Sequence, residues 1–169
     1  MSRRRTDAKA DRSGGRRKSE TPDRDDIRIL NELLQDARLS YRHIAANLGL
    51  STATVAQRFR SLQKRGVILG SAPILNYERI GYAFCVLTLI KVKQGRLFEA
   101  MKRISAEPHV FGVYDHTGGT DATVLARFRD RTSLDRFLKV LQAIPTIERT
   151  ETHLVLNVFK ENIRHLPDF

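Results

Sequence analysis

The sequence predicts an α+β protein in two parts: three short helices, then a sandwich of four strands and two helices. Three observations carry that prediction. Residues 23–66 place apolar side chains at helical spacing and are interrupted at Gly49 and Gly66. Residues 82–159 switch between helical and strand-like patterning several times. Between these textures, Val67 to Leu75 reads as extended, and Pro73 marks it as an edge or linking strand.

Each element has a local reason. Residues 1–22 hold eight Lys/Arg against three Asp/Glu, with no large apolar residue after Met1. Such a segment buries too little surface to offset its ordering entropy, so a disordered basic tail is expected. Pro22 and Asp23 open a first helix that carries Ile27, Leu30, Leu34 and Ala37 on one face and ends near Asp36. Asp23, Asp25 and Asp26 lie in its first turn, where the helix dipole favours acids. Ser40 caps a second helix reaching Leu48, with Ile44, Ala45 and Leu48 inward and Gly49 as its stop. Ser51 caps a third, with Val55, Phe59 and Leu62 inward and Gly66 as its stop.

After Gly81, Ala83 to Val92 reads as a strand and Arg96 to Ser105 as a helix built on Leu97, Ala100, Met101 and Ile104. Val110 to Tyr114 and Thr123 to Phe128 read as strands joined by the turn "DHTGGTD". Thr132 to Gln142 reads as a helix on Leu134, Phe137, Leu138 and Leu141, broken by Pro145, and Glu148 to Phe159 alternates as a last strand. Strand-helix-strand-strand-helix-strand is the ferredoxin-like split unit. The expected organisation is a tail over 1–22, a helix-turn-helix (winged-helix-like) domain over 23–68, a linking strand or hinge over 69–81, and a βαββαβ sandwich over 82–169.

Bulk properties narrow the function. The longest apolar run, Ala83 to Ile90, is strand-sized and far below the ~18 residues of a membrane span, so no membrane association is expected. The basic N-terminus has no apolar segment behind it, unlike a signal peptide. A single cysteine, Cys85, excludes a disulfide framework and fits a reducing, cytoplasmic setting, where a buried inert thiol is expected. Net charge is +11, and +5 of it falls in residues 1–22. Either a polyanionic partner or simple solubilisation accounts for such a tail.

The second and third helices have the steric logic of a helix-turn-helix. Ala45 is small where two helices cross, Gly49 supplies the turn's positive φ, and Val55 fills the wedge. The third helix can then enter the major groove, which is only about 12 Å wide. Its outer face is fitted to that width, because Thr52, Ala53, Thr54 and Ala56 are short. Gln57 can pair bidentately with adenine, and Arg58 and Arg60 can reach guanine or phosphate. Tyr41, Arg42 and His43 on the second helix would lie near phosphates, and the caps Ser40 and Ser51 count among the candidate DNA-binding residues.

These residues carry a resemblance. "DDIRILNELLQDARLSYRHIAANLGLSTATVAQRFRSLQKRGVI", Asp25 to Ile68, resembles the start of the Lrp/AsnC family of regulators. The turn Gly118, Gly119, Thr120, Asp121 is similar to that family's Gly-x-x-Asp hallmark, and "IPTIERTETHLVL" to its closing segment. The resemblance covers Asp23 to about Phe159 and leaves out the arginine-rich tail. It implies a transcriptional regulator that dimerises through its C-terminal domains and assembles further into tetramers or octamers. It also implies a small effector, usually an amino acid, held between regulatory domains.

The turn admits two chemical readings. Its glycines let backbone N–H groups converge on an effector carboxylate, while Asp121 accepts from an ammonium group and Thr150 and Thr152 add hydroxyls. Alternatively, the glycines merely permit a hairpin that Asp121 fixes. The mixed charges Asp135, Arg136 and Lys139 on the last helix lean away from a cationic effector.

No catalytic residue and no metal site is expected. The five histidines lack zinc-ligand spacing, and Asp115, His116 and Asp121 suit a hydrogen-bonded turn better than a metal site. Nucleophile and phosphate-loop motifs are missing too. The sequence therefore reads as a cytoplasmic, nucleoid-associated regulator that binds duplex DNA, answers to an amino-acid-like effector and needs no cofactor. The competing reading is an architectural DNA-compacting protein with little sequence preference, which the basic tail favours.

Overall fold

The structure, a computed structural model, describes residues 21–161. The tail expected over 1–22 lies outside the described residues except for Thr21 and Pro22. The chain divides into two compact units, with the boundary between Ala72 and Pro73.

The first unit holds α1 (Arg24–Gln35), α2 (Tyr41–Leu48) and α3 (Thr52–Lys64). Each helix begins at a side-chain cap. Asp23 and Asp26 form a reciprocal capping box on α1, Ser40 accepts from His43 N, and Ser51 accepts from Thr54 N. Gly49 closes α2 in the left-handed region at φ 69°, and its N–H donates to the Ala45 carbonyl. Ile29, Ile44, Ala45 and Val55 form the buried centre, with Leu33, Leu39, Leu48 and Leu50 packed around it. The small Ala45 and the wedge Val55 thus occupy the helix crossing as their sizes require.

Val67 to Leu75 does not form the expected linking strand; the segment is irregular. A strand exists only where its N–H and C=O groups meet a ladder partner, and none of the described strands pairs with it.

The second unit holds β1 (Phe84–Val92), α4 (Leu97–Ile104), β2 (Val110–Asp115), β3 (Ala122–Phe128), α5 (Arg131–Gln142) and β4 (Ile147–Leu154). The strands form one antiparallel sheet in the order β2-β3-β1-β4. Val86, Thr88, Ile90 and Val92 on β1 and Ala122, Val124, Ala126 and Phe128 on β3 are buried. With Ala100 and Ile104 of α4, Phe137 and Leu141 of α5, and Ile144, the apolar members of this set make up the core. The alternate residues Leu87, Leu89 and Leu125 are only half-buried, so one sheet face carries both helices and the other carries none.

The last strand stops at Leu154 rather than Phe159. Val155 N still donates to the Cys85 carbonyl, but β1 starts at Phe84, so further residues have no ladder to join. Leu156, Val158 and Phe159 are accordingly exposed. Cys85 is half-buried rather than buried, and burial pushes its thiol above the ordinary value.

Candidate nucleic-acid interface and regulatory turn

On α3 the side chains divide by direction. Val55 and Leu62 are fully buried, while Thr52, Ala53, Gln57 and Arg60 are exposed. The side chains of Gln57 and Arg60 make no hydrogen bond or ion pair among the described residues, so their donors remain available to a base edge or a phosphate. Arg42 on α2 is likewise exposed. Tyr41 packs its ring against Phe59 at 5.3 Å and is 37% exposed, which fixes the ring beside the exposed face of the pair.

Two residues expected at bases have partners inside the unit. Thr54 Oγ1 lies 2.8 Å from Ser51 Oγ, so both hydroxyls serve the start of α3, and Ser40 is similarly engaged at α2. Arg58 donates to Asp23 Oδ2 at 2.7 Å and to Asp26 Oδ1 at 2.9 Å, with Asp25 Oδ2 at 3.6 Å. Arg65 donates to Asp26 Oδ2 at 3.0 Å. The Arg58 guanidinium holds the Asp23 carboxyl below its usual range, helped by the Asp26 N–H, and Arg58 itself is shifted up. The acids read from the sequence as dipole partners therefore also neutralise α3. Arg58 and Arg65, seven residues apart, share one side of the helix, and that spacing was the available signal for this cluster. A cleft of about 300 Å³ lies along the same side, lined by Thr21, Asp23, Thr54, Gln57, Arg58 and Ser61 among others.

In the second unit, Gly118 has φ 134° and its missing Cβ would meet nothing within 4 Å, so the turn requires glycine for conformation rather than space. The N–H groups of Gly118, Gly119 and Thr120 have no hydrogen-bond partner among the described residues. Asp121 N donates to the Ile90 carbonyl. The Asp121 carboxylate accepts from Val92 N at 2.8 Å and from Lys91 Nζ at 3.0 Å, and these bonds, the backbone one foremost, lower its pKa. Asp121 thus ties the turn to the end of β1. A cleft of about 360 Å³ adjoins it, bordered by Lys91, Lys93, Gln94 and Glu148. His116 Nε2 lies 2.8 Å from Thr123 Oγ1, which makes it part of the turn's hydrogen bonding. The described residues contain no cluster of three or more His, Cys, Asp or Glu able to hold a metal ion.

Thr150 and Thr152 share a face, but not the one that holds Asp121. They pair with Ile90 and Thr88, whose side chains point to the helix layer, while Lys91 and its partner Asp121 lie on the open side. Thr152 Oγ1 is 3.0 Å from Thr88 Oγ1, which is completely buried. One protomer therefore does not bring the turn and the two threonines together around one ligand.

The comparisons agree with this architecture. Residues 23–68 match a family described as winged helix-turn-helix DNA-binding, and residues 85–164 match the Lrp/AsnC ligand binding domain. An uncharacterized HTH-type transcriptional regulator of Pyrococcus furiosus is 39% identical over 84% of this chain and 96% of its own length. The solved structure of AsnC from Escherichia coli is 26% identical with a TM-score of 0.78, covering 86% of this chain and 99% of that one. A transcriptional regulator of Neisseria meningitidis, solved as an L-Met complex, shares the fold with a TM-score of 0.79 at 20% identity, covering 88% of this chain and 98% of that one.

Proposed function

The chain belongs to the Lrp/AsnC family of DNA-binding transcriptional regulators, and from that premise we propose that it reads a specific duplex through α3 under the control of an amino-acid-like effector. The observation that carries the reading is the exposed face of α3, where Thr52, Gln57 and Arg60 stand free on a capped and well-packed helix. Thr52 and Gln57 face base edges. Tyr41, Arg42 and Arg60 anchor phosphates, while Ser40, Ser51, Thr54 and Arg58 fix the geometry of the two helices.

The effector is assigned to the Gly118–Asp121 turn and the adjoining cleft. Free N–H groups there suit a carboxylate, and the presence of both Lys93 and Glu148 suits a zwitterion. The Neisseria relative in fold binds L-Met, which fits this ligand class. Thr150 and Thr152 face the helix layer, so the proposed site rests on the turn and the cleft without them. The helix-free sheet face, with Leu87, Leu89 and Leu125 half-buried and Phe111 and Tyr114 exposed, is the proposed dimer surface.

The test is a titration against DNA from upstream of the protein's own gene, with scrambled DNA as control. It is run at low and near-physiological salt, with and without pooled amino acids. A preference of about 10³-fold or more that survives higher salt is expected. Gln57→Ala should remove about 1–3 kcal/mol of it. Equal binding to both duplexes, collapsing with salt and indifferent to Gln57→Ala, would identify a DNA-compacting protein instead.

A further inference from the structure

The stretch that links the two units ends in a compact turn. Asn76 Oδ1 accepts from Arg79 N at 3.0 Å, while Gly81 N donates to the Glu78 carbonyl and Tyr82 N to the Tyr77 carbonyl, both at 2.9 Å. The two tyrosine rings meet edge to face, with centroids 6.2 Å apart. Each ring carries an arginine from the sheet. The guanidinium of Arg127, on β3, lies 4.1 Å from the Tyr77 centroid. That of Arg129, just past the end of the strand, lies 4.6 Å from the Tyr82 centroid.

The Arg127 contact is built on more than its tyrosine. The ring of Phe111, on β2, lies 3.8 Å from the same guanidinium, and Glu161 accepts from Arg127 Nη2 at 3.1 and 3.2 Å. Enclosed in this way, the Arg127 side chain is only 14% exposed. A cation is held most strongly on an aromatic ring where water is excluded, so Arg127 is the firmer of the two anchors. At Gly81 an added Cβ would stand 3.2 Å from Arg129 Nη1, which places the backbone of the turn directly on the second guanidinium. Upstream of the turn the chain differs. Ile68 N still donates to the Leu62 carbonyl of α3, but residues 69–75 are all exposed and make no hydrogen bond among the described residues.

We propose that Arg127 and Arg129, by fixing the turn over 76–82 to the sheet, determine the half-site spacing at which paired copies of this chain bind DNA. The proposal rests on the DNA-binding and pairing reading above. Paired sheets hold two helical units through their tethers, and tether length sets how far apart two recognition helices can be placed. With the turn held, each tether runs over residues 69–75, about 24 Å when extended. With the turn released it runs on to β1 at Phe84, over residues 69–83, about 50 Å when extended. A tether about twice as long lowers the effective concentration of the second recognition helix about threefold and spreads it over more spacings. Arg127 and Arg129 are thus positioning residues, which act on DNA only through the tyrosines.

The test uses the full chain and a spaced pair of half-sites that it selects from a random-sequence pool, rebuilt with about five base pairs inserted or removed. Half a helical turn displaces the second half-site by about 17 Å. The double variant Tyr77→Leu, Tyr82→Leu keeps apolar bulk but removes both ring faces, whereas Tyr77→Phe, Tyr82→Phe keeps the faces. The Leu pair should bind the selected spacing about threefold more weakly, and its penalty for altered spacing should fall several-fold. Hydrogen exchange at the Tyr82 amide, which reads the opening of the turn, should speed up several-fold in the Leu pair. The Phe pair should match wild type in all three readings. Equal spacing penalties in wild type and the Leu pair would overturn the proposal, as would unchanged Tyr82 exchange. Loss of pairing by the Leu pair in sedimentation would overturn it too, by assigning the tyrosines to the dimer surface. If the pool enriches no spaced pair, the paired-regulator reading fails and the proposal falls with it. A spaced pair that every variant binds with one spacing penalty sinks the proposal alone.

Discussion

Thr152 offers a hydroxyl that bonds the protein core and was expected from the sequence at an effector, and substitution can show which role holds. Its Oγ1 lies 3.0 Å from Thr88 Oγ1, whose residue is fully buried in β1, whereas Thr152 on the edge strand is half-exposed. Thr152→Val leaves the Thr88 hydroxyl buried without a partner, which costs about 1–3 kcal/mol. Thr88→Val replaces the buried hydroxyl with a methyl group and leaves Thr152 free to bond water, so its cost should stay within about 0.5 kcal/mol of zero. The double variant should return to within about 0.5 kcal/mol of wild type, because both polar partners are then gone. Amide hydrogen exchange along β1 reads the opening of this unit alone and supplies the cycle without a two-domain melting curve. A neutral Thr152→Val, or a Thr88→Val more damaging than Thr152→Val, would refute the reasoning. Effector response adds a second readout: if a ligand uses this hydroxyl, Thr88→Val should preserve or strengthen the response while Thr152→Val weakens it.

Three further outcomes are expected. Gly49→Ala introduces a side chain at φ 69° into open space, so the strain is conformational only and should cost the helical unit about 1–2 kcal/mol in thermal melting. A collapse of the fold, or no change, would contradict that assignment. Asp23, held below its ordinary value of 3.8 chiefly by Arg58, contributes stability that is complete above that value and lost as pH falls through the lower folded value. Circular dichroism from pH 5 to pH 2 should show that loss in wild type and a weaker dependence in Arg58→Met. Asp121→Ala should speed exchange of the Val92 amide several-fold without any effector present, while Asp121→Asn, which keeps an accepting oxygen, should do so less. Unchanged Val92 exchange in both variants would show that the carboxylate does not hold the end of β1.

The parts of this molecule legible in its sequence were those set by local rules. Ser40, Gly49 and Ser51 announce the helix-turn-helix because caps and positive-φ turns depend on neighbours a few residues away. Alternation in Ala83–Val92 and Thr123–Phe128 announces the strands for the same reason. What escaped depended on partners far along the chain. Arg58 looks like a base reader until α1 folds against α3 and brings Asp23 to it, 35 residues away. Thr150 and Thr152 look like companions of Asp121 until the β1–β4 register turns them to the helix side, and a one-residue slip would have reversed that outcome. Val67 to Leu75 has the composition of a strand, but strand formation belongs to a pair, and within the described residues it has no mate.

The two faces of the sheet also link the candidate effector site to assembly. The turn and Asp121 lie on the side of Lys91, the helix-free face proposed above for pairing, whereas the two threonines lie beneath the helices. If copies pair through the open face as proposed, its half-buried leucines would contribute to that pairing with or without ligand. A molecule bound only in the paired state stabilises that state by mass action, and the gain grows with its concentration above the dissociation constant. On that proposed scheme, effector concentration and protomer concentration would act on one equilibrium, which would set how many recognition helices are held together. DNA affinity rises with that number because each added half-site contact converts a separate binding event into an intramolecular one. An effector acting in the proposed way would regulate this protein without moving α3 within its own unit: it would need only to change which copies are joined.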